Sequence, residues 1–289
     1  MQENFPDFKE AAKEIDELSL EGFFGESAKE LTLSRDILGQ AAFFSACLDD
    51  WIVDKKQYGK DEVKQSITIF IKLYTESIAE GGQKAIDAIT SFIRGSAENP
   101  ETECLSSFTE FIRLNVETKK LMRYPTNNQT IPSLSEIKRL GSSLSITYSK
   151  GVELISKILN ACIMLLEISK GIQPNELEIY NLFLWKKIQR FKKLSDNKYS
   201  KILSSIDRDI RNAEAHLNLQ FITERGVFKY KVKEGKRIKS KEISAENFIL
   251  NKYPKIGWVA QGFIYSSILL ILAHLDRNLY KTKIQQIFS

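Results

Sequence analysis

Apolar residues recur at three- and four-residue intervals through most of this chain, and that spacing limits its fold more than any other feature. The clearest case runs from Val152 to Leu166, where the apolar positions mark a long buried helix. Glycine and proline, which interrupt helices, number only 14 and 6 among 289 residues. We therefore predict a mainly α protein built as a helical bundle, long enough for two modest domains.

The segment 124–135 is the clearest predicted interruption, because it combines two prolines with a run of polar residues. It predicts a linker between an N-terminal helical domain, residues 1–123, and a C-terminal domain, residues 136–289. The N-terminal domain suits a sensor, a self-inhibitory cover or a docking surface for a trigger protein or antitoxin, and its sequence does not choose among them.

The two halves of the chain differ in charge. Residues 1–140 contain 17 Lys and Arg against 24 Asp and Glu, whereas residues 141–289 contain 25 against 13. A basic half is typical of a protein that meets a polyanion such as RNA. A coding sequence rich in A and T would also raise the lysine content, so charge alone does not identify the partner.

A polar motif in the C-terminal half is the strongest functional signal. Arg211 is followed directly by Asn212 and, after three more residues, by His216, one of only two histidines in the chain. The surrounding sequence predicts a helix from about Tyr199. Its apolar stripe comprises Ile202, Leu203, Ile206, Ile210, Ala213 and Leu217, and a second, polar stripe comprises Arg208, Asn212 and His216.

Each motif residue also has a structural interpretation. Arg211 can pair with Asp207, four residues earlier, in an exposed contact worth less than about 1 kcal/mol. His216 near a helix C-terminus can complement the helix dipole, and Asn212 can be a solvated polar residue.

Together, Arg211, Asn212 and His216 resemble the Arg-x4-His signature of the HEPN superfamily. These are all-helical domains found in bacterial toxins, abortive-infection proteins and RNA-cleaving antiviral effectors. The resemblance covers residues 136–289 at most and is specific only at the three motif positions. It implies a HEPN-like domain with Arg211, His216 and Asn212 as catalytic residues, Asn212 orienting the phosphate or the imidazole. One toxin subfamily has a modified tyrosine two residues after the histidine, but Asn218 occupies that place here.

The spacing of the motif also predicts assembly. Arg211 lies five residues before His216, about 140° around an ideal helix at 100° per residue, so the two side chains diverge on one helix. Either the arginine reaches around the helix, or the same helix of a second subunit completes the site. The resemblance implies the second arrangement, and we expect a homodimer that pairs the two motif helices.

The motif residues suit cleavage of RNA without a metal ion. Histidine is the side chain that most often transfers protons near neutral pH, so His216 can take the proton of a ribose 2′-hydroxyl. Arg211 can donate to the phosphate oxygens as negative charge builds on them.

A basic β-hairpin is predicted after the motif, because the period changes from that of a helix to that of a strand. Seven of the thirteen residues 229–241 are Lys or Arg, and Glu234-Gly235 supplies a tight turn. The hairpin is either a solvated element whose lysines discourage edge pairing or an arm that binds phosphates. The residues predicted to bind RNA are Arg208, Lys229, Lys231, Lys233, Lys236 and Arg237, with Tyr230 available for base stacking.

Several other classes of function find no support in the sequence. The three cysteines are far apart in apolar runs, which indicates reduced core residues in a cytoplasmic protein. Metal ligands are not paired at any ligand spacing, and no glycine-rich phosphate loop is present, so we expect neither a metal nor another cofactor. The N-terminus has no export signal. The uncharged run from Ile256 to Leu275 is interpreted as a buried final helix and not as a membrane span, although its length permits one.

Three classes of function remain open on the sequence. The first is a HEPN-type endoribonuclease acting as a toxin or antiviral effector. The second is a catalytically inactive HEPN-like scaffold that binds RNA, a nucleotide or a protein. The third is a helical interaction protein in which the motif has arisen by chance.

Overall fold

The computed structural model of the chain describes residues 5–128 and 132–289, and most of these residues are helical. Thirteen α-helices and one three-stranded antiparallel sheet occur within the described residues. The prediction of a mainly α protein with a small β element is confirmed. The helices are α1 (Pro6–Leu20), α2 (Glu26–Ser34), α3 (Gln40–Val53), α4 (Lys60–Gly81), α5 (Gln83–Arg94), α6 (Leu105–Asn128), α7 (Leu134–Ile168), α8 (Glu176–Tyr180), α9 (Leu184–Ser195), α10 (Arg208–Ala215), α11 (Ala245–Asn247), α12 (Tyr253–Leu275) and α13 (Arg277–Phe288).

Local chemistry sets several of the helix boundaries. Gly82 and Gly95 flank α5, and each has a positive φ that ends a right-handed helix. The start of α7 is a capping box, in which Glu136 accepts a hydrogen bond from the Ser133 amide at 2.7 Å and the Ser133 hydroxyl accepts one from the Glu136 amide at 3.3 Å.

Contacts divide the chain into two compact units. Unit 1 contains the chain up to Thr109 together with Ser156–Ile202 and Trp258–Ser289, and unit 2 contains Glu110–Ile155 and Leu203–Gly257. The units are therefore interleaved along the chain, whereas the sequence suggested a single boundary at 124–135. The long helices α6 and α7 each contribute residues to both units, which composition cannot reveal.

Unit 1 has an apolar core built from α3, α4, α12 and α13. Its fully buried members are Leu48, Trp51, Val63, Ile67, Leu269, Leu272 and Ile287. The run that the sequence identified as a buried helix is α12. Asp276 does not end the helical part of the chain, however, because its carboxylate caps α13 by accepting from Asn278 and Leu279 at 2.9 and 3.0 Å. The prediction that α12 is the final helix is therefore wrong.

Unit 2 combines the first part of α7 and the motif helix α10 with the sheet. The strands β1 (Leu219–Ile222), β2 (Val227–Glu234) and β3 (Arg237–Ser244) pair in that order, all antiparallel. The predicted hairpin is thus confirmed as β2 and β3, and β1 was not predicted. Aromatic rings pack beneath the sheet. The Phe228 and Phe248 rings are tilted to each other with centroids 4.7 Å apart, and the Phe248 and Tyr148 rings meet edge to face at 5.2 Å.

The predicted linker is helical in its first part, because α6 continues to Asn128. Helix propagation is cooperative, so a 24-residue helix can extend through polar residues that composition assigns to a loop. Residues 129–131 of the predicted linker lie outside the described residues. The last two residues of the predicted linker are also helical, since α7 begins at Leu134.

One stretch of the described chain, Ala245–Leu275, is long and apolar enough to cross a membrane, and 44% of its most apolar window is buried. A core helix of a soluble protein has the same length and composition. The stretch is therefore weak evidence for a membrane span and is consistent with a soluble protein.

Candidate functional site

The motif helix α10 begins later than the sequence predicted. Residues Ser200–Ser205 form a 3-10 helix, and Asp207 then caps α10 by accepting from the Ile210 amide at 3.3 Å. The interruption has a clear cause in the buried Tyr148 of α7. Its hydroxyl donates to the Ser205 carbonyl at 3.0 Å and accepts from the Asp207 amide at 2.8 Å. These backbone groups are consequently satisfied outside a continuous helix.

Two lysines add charged contacts to the first turn of α10. Lys252 donates to the second oxygen of Asp207 at 3.0 Å, and Lys241 of β3 donates to Asp209 at 3.1 Å. The hydrogen bonds of Lys241 with Glu234 and Asp209 raise the pKa of its ammonium group, so Lys241 stays charged at neutral pH. The start of α10 is therefore held by α7, by β3 and by Lys252.

The end of α10 is a Schellman motif with an unusual residue in it. The Leu217 amide donates to the Glu214 carbonyl at 2.9 Å, and the Asn218 amide donates to the Ala213 carbonyl at 2.6 Å. This geometry requires a left-handed residue, and Leu217 takes that place with a φ of +55°. Glycine is the usual residue there, because a Cβ is strained in this conformation.

Leu217 is 90% exposed, so the prediction that it belongs to the buried apolar stripe is wrong. Of that stripe, Ile202, Ile210 and Ala213 are buried as expected. The helical pattern does not apply to Leu217, because α10 ends before it and Leu217 adopts a left-handed conformation.

Arg211 pairs with a residue that the sequence did not identify. Its Nε donates to Glu153 of α7 at 2.6 Å, and its terminal Nη2 contacts the same carboxylate oxygen. Its Nη1 donates to the Asn212 side-chain oxygen at 3.0 Å. The alternative pairing with Asp207 is not observed, since Asp207 caps α10 and accepts from Lys252. A guanidinium fixed by two partners still has N–H groups that face neither of them.

His216 occupies the position directly after the last helical residue and is exposed. Within the part of the chain that the structure describes, its imidazole makes no hydrogen bond. The arrangement therefore presents an oriented arginine, an amide and an unengaged imidazole along one short helix. Such a set can bind an anion and transfer a proton.

The predicted RNA-binding residues lie mainly on one face of the sheet. Lys229, Lys231 and Lys233 are exposed and alternate with buried residues along β2. Lys229 lies opposite Glu242, but Arg225 already binds both oxygens of that carboxylate at 2.8 and 3.0 Å. This face therefore keeps a net positive charge.

The other predicted contacts divide between exposed and buried positions. Lys236 and Arg237 are exposed at the turn between β2 and β3, and Arg208 is exposed at the start of α10. Tyr230 lies on the opposite face of the sheet and is only 8% exposed. The prediction that Tyr230 is available for base stacking is therefore wrong, because strand alternation turns it into the core.

Glu153 and Tyr148 are the residues of this site that sequence analysis missed. They lie 58 and 59 residues before their partners Arg211 and Asp207. Both belong to α7, where they are five residues apart and resemble ordinary helical positions. Glu153 is one of several charged residues on α7, with Lys150 and Lys157 nearby in sequence, so no sequence signal singles it out.

A cleft in unit 1 has none of the motif residues in its lining. It measures about 720 Å³ and is lined by charged residues of both signs, including Lys84, Asp87, Arg94 and Glu176. Glu176 accepts hydrogen bonds from Ser96, Asn99 and Thr102, so it holds the loop around the cleft. The lining contains no histidine or cysteine. A search of the described residues for three or more clustered His, Cys, Asp or Glu side chains finds no group that could hold a metal ion.

Comparison with known proteins gives no relative for this chain. No protein-family model matches it, and no curated protein or solved structure matches it either. We therefore infer the function from the residues of this chain and from their geometry.

Proposed function

We propose that this protein is a metal-independent RNA endonuclease of the HEPN type. The observation that supports it best is the arrangement at α10. Glu153 orients Arg211, and His216, five residues later, is exposed with an imidazole that makes no hydrogen bond to any described residue. The HEPN-like domain of this proposal comprises residues 136–289, and Arg211, Asn212 and His216 are its catalytic residues.

The proposed chemistry uses the ribose 2′-hydroxyl as an internal nucleophile. His216 takes the proton of this hydroxyl, whose oxygen then attacks the adjacent phosphorus and displaces the 5′-oxygen of the next nucleotide. Arg211 donates to the phosphate oxygens as charge accumulates. The departing 5′-oxygen takes up a proton from water, and His216 returns its proton to the solvent. The products are a 2′,3′-cyclic phosphate and a 5′-hydroxyl. DNA lacks the nucleophile and is not cleaved.

Glu153 has a positioning role in this mechanism. The guanidinium has five N–H donors, and those on Nε and Nη2 are directed at the Glu153 carboxylate. One further donor, on Nη1, binds the side-chain oxygen of Asn212. The remaining N–H donors are available to the phosphate. Negative charge builds on the phosphate as the transition state forms, which strengthens these hydrogen bonds.

The exposed lysines of β2 supply a binding surface for the RNA backbone. Each phosphate contact to single-stranded RNA contributes a slope of about −0.7 in log K against log salt. Replacing Lys229, Lys231 and Lys233 by alanine should therefore flatten the slope by up to about 2. The matched control is Lys239→Ala, because Lys239 pairs with Glu234 at 2.8 Å. An unchanged slope in the triple variant would mean that this face is only solvated.

Assembly as a two-fold dimer is part of the proposal. The motif helices of two subunits would pair, so that each site takes its arginine and its histidine from different copies. The exposed Leu217 beside His216 supplies apolar surface at this end of the helix. Light scattering should give a dimer at micromolar concentration, and a monomer would remove the composite site from the mechanism.

A second function is favoured by one specific observation. The ion pair of Arg211 with Glu153 neutralises the arginine, as expected in a catalytically inactive HEPN-like scaffold that binds RNA, a nucleotide or a protein. In such a scaffold the motif residues would stabilise unit 2 and would not be needed for any turnover.

Incubation of purified protein with single-stranded RNA in EDTA distinguishes the two functions. The endonuclease cleaves under these conditions, and the Arg211→Ala/His216→Ala double variant does not. The matched control is Arg35→Ala/His274→Ala, which removes the other histidine and an exposed arginine that binds Asp16. Equal cleavage by both double variants, or cleavage only with added divalent metal, would overturn the proposal.

The biological role that fits this chemistry is that of a toxin or antiviral abortive-infection effector in the cytoplasm. RNA cleavage would slow growth of the bacterial host when the wild-type chain is expressed. An antitoxin or trigger protein would act on the N-terminal half, residues 1–123. Growth arrest by the wild type but not by the His216→Ala protein, with equal expression, is the expected result.

A further inference from the structure

A short segment of unit 1 concentrates exposed aromatic side chains. Of the five exposed aromatic residues in the described chain, three lie within six positions: Tyr180, Phe183 and Trp185. Phe183 is 78% exposed and Trp185 41%. Exposing such large rings is unfavourable in water, so a cluster of them indicates a contact surface.

These rings are not core residues displaced to the surface. The inner face of α9 is already formed by Phe191, which is fully buried, with Leu184, Ile188 and Leu194 partly buried beside it. Arg190 fixes the helix by donating to Glu167 at 2.7 Å and by pairing with Glu178. The helix α9 is therefore fixed by its buried inner face and by Arg190. The core packing of α9 does not need Phe183 or Trp185.

Positive charge surrounds the exposed rings. Residues 183–193 contain five Lys and Arg and no Asp or Glu. The Lys186 ammonium lies 4.2 Å from the centroid of the Trp185 ring, a cation–π contact that holds the indole in place. Lys192 and Lys193 are exposed in the last turn of α9 and form no ion pair with any residue that the structure describes.

We propose that the outer face of α8 and α9 binds single-stranded nucleic acid. Bases stack on Phe183 and Trp185, while Lys186, Lys192 and Lys193 contact the phosphates. Stacking tolerates any base, because every base has a π face, and lysine contacts follow the backbone without reading sequence. These residues lie in a different part of the sequence from the β2 lysines. Binding at this surface does not require RNA cleavage at His216, so the inference does not depend on the proposed function.

A lipid surface is the other partner that aromatic and lysine residues can suit, and the outer face of α9 argues against it. An interfacial helix inserts a broad apolar stripe into the membrane. Beyond Trp185, the exposed positions of α9 are Lys186, Gln189, Lys192 and Lys193. Trp185 is the one exposed apolar side chain of α9, so this helix has no apolar stripe to insert into a membrane.

The test uses the full-length protein and a fluorescent 12-nucleotide oligothymidine, which the proposed chemistry cannot cleave. Losing a stacked base costs about 1–3 kcal/mol, which corresponds to a loss of affinity of about 5- to 150-fold. The Phe183→Ala/Trp185→Ala variant removes two stacking rings, so its loss of affinity should reach at least this range. The control Phe288→Ala, which removes an exposed ring elsewhere in unit 1, should bind like the wild type.

The lysines are tested by salt dependence. Lys192→Ala/Lys193→Ala should flatten the slope of log K against log salt by about 1.4, whereas the exposed pair Lys55→Ala/Lys56→Ala should leave it unchanged. Wild-type affinity in the Phe183→Ala/Trp185→Ala variant, with its fold verified by circular dichroism, would overturn the proposal. Stronger binding to anionic vesicles than to the oligonucleotide, lost in the same variant, would overturn it in favour of a membrane surface. Absence of RNA cleavage at α10 leaves this test unaffected, because only binding is measured.

Discussion

The two ends of α10 differ in how firmly the rest of unit 2 holds them. At the start, Asp207 caps the helix, binds Lys252 and donates its amide N–H to the hydroxyl of the buried Tyr148. At the end, His216 is exposed and Leu217 adopts a left-handed conformation on the surface. A firmly held start fixes the direction of the helix, and the open end leaves the imidazole accessible to a ligand. Stability and activity should therefore depend on opposite ends of the same helix.

The largest effect is expected at the open end. His216→Ala removes the proposed proton acceptor and should lower the proposed RNA cleavage by about 10²- to 10⁴-fold. Because the side chain is exposed, the free energy of unfolding should change by less than about 0.5 kcal/mol. Cleavage kinetics and urea unfolding of the same preparation measure both quantities. His274→Ala is the control, and undiminished cleavage by His216→Ala would remove His216 from the mechanism.

The next effect concerns the contact that orients Arg211. Glu153→Ala leaves the guanidinium without its main partner, and misplacement of a catalytic group costs about 10- to 100-fold in rate. Glu153→Gln keeps an oxygen acceptor and should lose less. Single-turnover cleavage with each variant measures the effect. A higher rate in Glu153→Ala would instead show that the carboxylate competes with the substrate phosphate for Arg211.

At the firmly held end the expected effect is on stability. Tyr148→Phe removes the acceptor of the Asp207 amide, and loss of a partner to a buried donor costs about 1–3 kcal/mol. Burial raises the pKa of the Tyr148 phenol, so the hydroxyl stays protonated and the loss should not vary across the neutral pH range. Urea unfolding measures it, with Tyr180→Phe as the exposed control. Equal stability of both variants would mean that Tyr148 does not fix the start of α10.

The smallest effect is a gain in stability at the open end. Leu217→Gly relieves the strain of a left-handed leucine and should raise the free energy of unfolding by about 1 kcal/mol. Leu217→Ala keeps the Cβ and should change it little, which separates backbone strain from loss of the exposed side chain. If both variants are equally stabilised, exposure of the leucine and not its conformation is the cause.

Local patterns predicted those parts of the fold that depend on neighbouring residues. The β2–β3 hairpin, for example, follows from strict alternation around Gly235. The predicted alternation also placed Lys229, Lys231 and Lys233 together on the exposed face of the sheet.

The remaining features depend on contacts between distant parts of the chain. The start of α10 is set by Tyr148, which lies on another helix, and the partner of Arg211 is likewise on α7. The conformation of Leu217 runs against the preference of its residue type, so propensity assigned it to a helix. Tyr230 is different, because the sequence does show that it alternates with lysines along β2. The error was to predict that Tyr230 is exposed for base stacking, when its face of the sheet is the buried one.

The central claim is that the open end of α10 cleaves RNA through the ribose 2′-hydroxyl. Analysis of the ends produced from a single-stranded RNA in the presence of EDTA tests it most directly. We expect 2′,3′-cyclic phosphate and 5′-hydroxyl ends. We also expect no cleavage where a single 2′-deoxynucleotide replaces the nucleotide at the scissile position. Products with 5′-phosphate ends, or cleavage that persists at the 2′-deoxy position, would contradict it.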